Sequence, residues 1–370
     1  MAYVPSAVHW ETRPPAELGM RAEDLQAAVA WHRSHESAWP RDFLTAEGRY
    51  IGVADEPLDS RVLGPVRPRR DPSGLVVRHG YIVAEWGETD RADMSFSIAK
   101  SYLAVLAGLA VQQGLIGDVD EPMAATAVDD GYASRQNAAI TWRHLLTQTS
   151  EWQGTLWGKA DSIDHNRDVG KSELGMAIKG QPRPLRAPGT LWEYNDVRVN
   201  RLSLSLLQRF RRALPDVLRE AIMDPIGASA GWAWHPYHNS WLDVGGRRLP
   251  SVPGGSHWGG GLWMSSRDHA RFGLLVQRQG AWATRRLLDP EWIAQMVRPC
   301  ALNPQYGMLW WLNTGRGQAS RAPESCYAAR GAGSNVIWID PDHDLVVVVR
   351  WIDKPRVDGF LTLVLESVRA

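Results

Sequence analysis

The order of strand-forming and helix-forming runs constrains this chain most. Residues 74–86 hold two β-rich runs, Leu75-Val76-Val77 and Tyr81-Ile82-Val83, parted at His79-Gly80. That is the pattern of a hairpin with a two-residue turn. Strands are predicted again late in the chain, over 306–312, 335–339 and 344–352, the last two joined by Asp340-Pro341-Asp342-His343. A glycine-rich run, Gly259-Gly260-Gly261, leads into a further strand at Leu262-Trp263-Met264. Helical spacing covers 16–34, 97–115, 200–222, 267–279 and 357–368, and Thr141 stands where a helix N-cap belongs. Strands near both ends with helices between them predict an α+β fold. A sheet domain formed by 1–95 and 251–370 would be completed by both termini, with a mainly helical domain, 96–250, inserted.

Bulk properties exclude several classes. The 370 residues carry no formal net charge, which favours neither nucleic acid nor an anionic membrane surface. No apolar run is long enough to span a bilayer. The start, Met1-Ala2-Tyr3-Val4-Pro5, lacks the charged and apolar regions of a secretory signal, so a cytoplasmic location is expected. Cys300 and Cys326 are then expected as free thiols. No dinucleotide or P-loop fingerprint follows a predicted strand. The pairs His32/His35 and His235/His238 lack a third metal ligand, so no metal is expected.

One short stretch carries chemistry. In Ser97-Ile98-Ala99-Lys100, serine and lysine lie three apart at a predicted helix start, on one face and one turn from each other. A serine hydroxyl needs a neighbouring base to act as a nucleophile. A lysine amine desolvated in an apolar helix can lose its proton and serve. The helix N-terminus also offers N–H groups to a developing oxyanion. Alone, the spacing fits a capped helix with a surface lysine equally well. Gly227-Ala228-Ser229-Ala230-Gly231 matches a nucleophile elbow, but a predicted helix precedes it and no helix start follows, so a turn is the better reading.

Further on stands Pro188-Gly189, then Tyr194-Asn195-Asp196. Together with Ser97 and Lys100, this resembles the serine β-lactamase and penicillin-binding-protein superfamily. The closer likeness is to its class C-like branch of β-lactamase-related esterases and 6-aminohexanoate-dimer hydrolases. The segments Ser256-His257-Trp258-Gly259 and Tyr327-Ala328-Ala329-Arg330-Gly331-Ala332-Gly333 add to it. The resemblance implies a β-lactamase-like fold, an antiparallel sheet flanked by helices. It implies Ser97 as nucleophile, Lys100 and Tyr194 as the acid–base pair, and the backbone N–H groups of Ser97 and Ala332 as the oxyanion hole. Asp196, His257, Trp258, Arg330, Gly331 and Gly333 would contact substrate. Two positions depart from the family pattern. Asp196 falls where many members have asparagine, and Ala329 replaces the lysine or histidine of the Lys-Thr-Gly strand, which argues against efficient β-lactam hydrolysis.

The expected activity is cofactor-free acyl transfer through an acyl-enzyme, with a small ester or linear amide as substrate. An acyltransferase or amide-forming enzyme would use the same site. A catalytically inert binding protein retaining the fold is the reading from another class.

Overall fold

The structure, a computed structural model, describes residues 3–54, 60–169 and 178–369. Its centre is a six-stranded antiparallel sheet in the order β12–β13–β14–β15–β1–β2. These strands are β1 (Ser73–Arg78), β2 (Tyr81–Trp86), β12 (Trp311–Leu312), β13 (Tyr327–Gly331), β14 (Asn335–Asp340) and β15 (Leu345–Arg350). The first hairpin turns where expected: His79 and Gly80 both have positive φ, 52° and 89°, which matches the twist of the flanking strands. A second sheet orders β3 (Asp93–Met94), β9 (Gly261–Met264) and β6 (Ala233–His235) side by side. Among the described residues three two-stranded ribbons complete the strands: β4 with β5 (Thr155–Leu156, Lys159–Ala160), β7 with β8 (Trp241–Val244, Arg247–Pro250) and β10 with β11 (Ala281–Trp282, Arg285–Arg286).

The central strands are apolar on both faces because both faces are covered. Val76, Val347, Val349, Ala328 and Trp338 pack with α1 (Ala22–Ser34) and α8 (Val357–Glu366). The alternate residues, Leu75, Val346, Val348, Ala329 and Ile337, face α2 (Ile98–Gln112) and α6 (Ser266–Gln277). The other helices are α3 (Trp142–Leu146), α4 (Asp196–Phe210), α5 (Leu214–Leu218) and α7 (Pro290–Met296). One apolar cluster runs from the sheet through α2 into α4 and α5, so the two regions share a core. Helix α2 sits at their junction, packed on β13, β14 and β9 and also on α4, α5 and α7.

Several boundaries differ from expectation for local reasons. The helix expected from residue 16 starts at Ala22, because Gly19, with φ 70°, ends a separate 3-10 turn at Pro15–Leu18. The helix expected over 200–222 begins at Asp196, capped by Asn195, whose side chain accepts from the Arg198 N–H. It stops at Arg211, which turns left-handed at φ 53°, and a short α-helix resumes at Leu214 and widens into a π-helix over Arg219–Met223. Of the strand expected over 306–312, Trp311 and Leu312 alone pair with β13, since Leu309 has φ 59° and breaks the extension. Thr141 caps α3 in a reciprocal box with His144. Cys300 is half-buried and Cys326 buried, both as free thiols.

Candidate active site

The segment before α2 crosses from the small sheet to the helix in a few residues. Phe96 takes φ 49°, costly for a bulky side chain. Its ring is held by edge contacts with Trp39, Phe43 and Trp351. The turn leaves Ser97 half-buried at the N-cap of α2, while Lys100, one turn on, is 1% exposed. Lys100 Nζ donates to Ser97 Oγ at 2.9 Å and to the Gly254 carbonyl at 3.2 Å. Its third partner is the Asp196 carboxylate, in direct ion contact. Gly255 closes this corner with bare backbone: a Cβ there would lie 3.4 Å from Lys100 Nζ and 3.5 Å from Ser97 Oγ.

Tyr194 arrives on a tethered strap. Gly189 turns at φ 82° and its N–H donates to the Thr149 carbonyl at 2.8 Å. Glu193 N–H donates to the Gln148 carbonyl at 3.0 Å, and Asn195 N–H to Gln148 Oε1 at 3.1 Å. These anchors lay the buried Tyr194 ring beside Lys100, whose Nζ is 4.8 Å from the ring centre. The Arg167 guanidinium lies 5.3 Å from the same ring. Trp311 stacks on Tyr194 at 5.8 Å, making an aromatic wall.

The electrostatics revise one expectation. Burial pulls the Lys100 ammonium down, but the charges of Asp196 and Tyr194 outweigh it, so its pKa stands above the usual lysine value. The predicted drop does not occur, because Asp196 replaces a neutral amide with a counter-ion. Burial would raise the Asp196 carboxyl, yet Arg167 and Lys100 hold it far below the usual carboxylate range. Arg167 donates to Asp196 Oδ2 at 2.7 Å and lies 3.4 Å from Asp164 Oδ2, and the Asp196 N–H donates to Asp164 at 2.8 Å. The site therefore holds a charged lysine and a charged arginine around the Tyr194 ring.

The remaining expected residues divide. Gly331 faces the segment leading to Ser97 so closely that a Cβ would lie 2.3 Å from the Ser95 carbonyl oxygen. Ala332 is exposed in the turn that follows β13. His257 stands at the cleft, its Nδ1 3.8 Å from Asp196 Oδ2 and its ring nitrogens near Arg167 and Lys179. Trp258 is fully buried, with its carbonyl accepting from Leu63 and Gly64, so it packs the core and does not line the cleft. Arg330 alternates with Ala329 onto the opposite face of β13, where its guanidinium donates to Gln318. Gly333, with φ 73°, lies in the turn against the Trp351 ring, where a Cβ would come within 2.3 Å. Arg330 and Gly333 thus sit apart from Ser97 as substrate contacts.

Sequence reasoning missed Arg167, Asp164 and Gly255. The first two lie in Asp161-Ser162-Ile163-Asp164-His165-Asn166-Arg167, a stretch without periodicity or motif. Gly255 had a signal: paired glycines beside Ser256-His257 mark a close backbone approach. Ser229 is no nucleophile elbow, since its N–H and hydroxyl both donate to the Asp268 carboxylate, at 2.8 and 2.6 Å. His32 is buried between Arg350 O and the Trp86 indole N–H. Among the described residues no cluster of three or more His, Cys, Asp or Glu side chains could hold a metal ion, and no helix is long and apolar enough to cross a membrane.

An antiparallel sheet covered by helices, with a serine and lysine one turn apart at the start of a buried helix, defines a serine hydrolase of the β-lactamase type. The chain belongs to the β-lactamase family, whose model, described as Beta-lactamase, matches residues 75–358. Solved structures share the fold at low identity. A penicillin-binding protein homolog from Caulobacter crescentus aligns with TM-score 0.60 and 13% identity, over 94% of this chain and 99% of that one. EstCE1, a hydrolase with promiscuous acyltransferase activity, aligns with TM-score 0.59 and 14% identity, over 94% and 99%. A protein assigned as a 6-aminohexanoate-dimer hydrolase from Bacillus anthracis aligns with TM-score 0.55 and 15% identity, over 82% and 81%. No curated protein matches the chain.

Proposed function

We propose that the protein hydrolyses a small ester or linear amide through an acyl-enzyme on Ser97. The carrying observation is the 2.9 Å contact from Lys100 Nζ to Ser97 Oγ, in a corner walled by glycine backbone. Lys100, held as an ammonium, donates to Ser97 Oγ, which leaves the hydroxyl proton to go elsewhere. Tyr194, reacting as its phenolate beside the Lys100 and Arg167 cations, is the group to take it and becomes the phenol. The Ser97 oxygen then bonds to the substrate carbonyl carbon, and the N–H groups of Ser97 and Ala332 receive the negative oxygen. As the tetrahedral species collapses, the alcohol or amine departs with the proton from Tyr194. Water repeats the sequence in reverse and frees the acid. Ala329, which puts a methyl where the family has a cation, argues for substrates without the carboxylate that β-lactams carry.

A serine-directed fluorophosphonate followed by peptide mass spectrometry tests this reading. It should label Ser97 in the native protein and nothing in Ser97→Ala, which should fold and lose turnover of p-nitrophenyl esters, anilides and aminohexanoate oligomers. A folded native protein that takes no label on Ser97 would sink the hydrolase reading and favour an inert binding protein. Product analysis with competing amines and alcohols separates hydrolysis from acyl transfer.

A further inference from the structure

Among the buried cations that the mechanism does not use, Arg350 is set apart by its neutral partners. Arg350 ends β15, is 2% exposed and follows Val346 and Val348 on the nucleophile side of the sheet. Burial lowers its pKa, and Asp93 is the acid that bears on it most. The Asp93 carboxylate is engaged elsewhere, accepting from Arg70 N–H, Met94 N–H and the Trp351 indole at 2.9, 2.8 and 2.7 Å. The Arg350 donors instead meet neutral oxygens. Nη2 donates to the Met94 carbonyl at 2.6 Å, Nη1 to the Met264 carbonyl at 3.0 Å, and Nε to Asn335 Oδ1 at 2.6 Å.

A cation buried without a carboxylate is expensive, and an apolar side chain would fill the same volume at less cost. What the guanidinium adds is a rigid fork that fixes three segments together. Met94 lies three residues before Ser97, and Met264 ends the central strand of the small sheet. Asn335 is the cross-strand neighbour of Arg350, next to the Val336–Val349 pair. Asn335 passes the constraint on, because its Nδ2 donates to the Ala332 carbonyl at 2.6 Å. Gly331, immediately before, is pressed against the Ser95 carbonyl. The peptide that carries the Ala332 N–H is therefore held from both sides.

We propose that Arg350 and Asn335 are positioning residues for acyl transfer, setting the separation between the Ser97 and Ala332 N–H donors. This rests on the assignment of those two donors under the proposed function. Asn335→Asp is the informative variant. It keeps an acceptor for Arg350, now as an ion pair, and deletes the donor to Ala332. The thermal midpoint should hold or rise while kcat for a p-nitrophenyl ester falls about 10- to 100-fold, with KM nearly unchanged. Affinity for phenylboronic acid, whose serine adduct is tetrahedral, should weaken in proportion to kcat. Arg350→Lys, which keeps the charge and loses the fork, should move kcat the same way and carries the test if Asn335→Asp does not fold. A folded variant with kcat within about twofold of native, or with kcat lost and boronate affinity intact, overturns the positioning role. If the native protein neither labels at Ser97 nor turns over any ester, the functional reading falls and this inference with it.

Discussion

Replacing Asp196 by Asn keeps the shape of the side chain and removes the charge that faces Lys100 and Arg167. The native carboxylate is 3% exposed, so its attraction for the Lys100 ammonium is little screened by solvent. Two unit charges about 4 Å apart attract by about 4 kcal/mol at an effective dielectric of about 20. Without Asp196, burial and the Arg167 charge both act to lower Lys100, and its largest opposing charge is gone, leaving Tyr194. Realising only a third of that attraction, about 1.4 kcal/mol, moves an ionisation by about one pH unit. The alkaline limb of kcat/KM, set by loss of the Lys100 proton, should therefore move to lower pH by at least about one unit in Asp196→Asn. The stability of the variant should move with it. Because native Lys100 has a raised pKa, its contribution is full below the ordinary lysine value and is lost as pH rises through the folded value. Asp196→Asn should thus be less stable at neutral pH, by up to about 3–5 kcal/mol, and the difference should narrow at alkaline pH. Rate profiles from neutral to strongly alkaline pH, with denaturant melts at both ends, give both quantities. An alkaline limb that stays in place or moves upward would refute the claim that Asp196 keeps Lys100 charged.

Other positions give further expectations. Gly331→Ala should cost about 1–3 kcal/mol and lower kcat, because the new Cβ would lie 2.3 Å from the Ser95 carbonyl and push β13 from the nucleophile segment; urea melts and ester kinetics read both. Glu151, buried between Arg183 and Arg198, is held down to about 2 against burial, which alone would raise it. Its contribution is full above the ordinary glutamate value of 4.5 and is lost as pH falls toward 2, which amounts to about 3 kcal/mol. In Glu151→Gln that acid-sensitive part should vanish, so native and variant should converge in stability at the lowest pH. His32 works in the same direction: burial lowers it from 6.5 to about 4, so native stability should decline as pH drops through that window, and an apolar substitution at His32 should flatten the decline.

The helices, the two sheet hairpins and the meeting of Ser97 with Lys100 were legible in the sequence because each is local. His79-Gly80 turns by its own backbone preference, Thr141 caps by its own hydroxyl, and Ser97 and Lys100 meet because a helix brings residues three apart together. What was not legible depends on contacts between distant segments. Trp258 looks like a cleft residue beside His257, but the strand alternation that would place it is interrupted by the turn at Gly259 and Gly260, and the core takes the indole. Arg330 stands one position from the missing cation, yet β13 has one face toward Ser97, and alternation gives that face to Ala329 and Gly331. Asp196 is the instructive case. It was marked in sequence as a departure from the family's asparagine, and the structure sets its carboxylate against Lys100. Its other partner, Arg167, lies 29 residues away in a stretch with no motif. A carboxylate beside lysine alone would have been a buried pair of balanced charge. Arg167 adds a second cation to that carboxylate and is itself shared with Asp164. The motif identifies that Ser97 and Lys100 meet; the charge on Lys100 follows from Asp196, which reaches it from another helix.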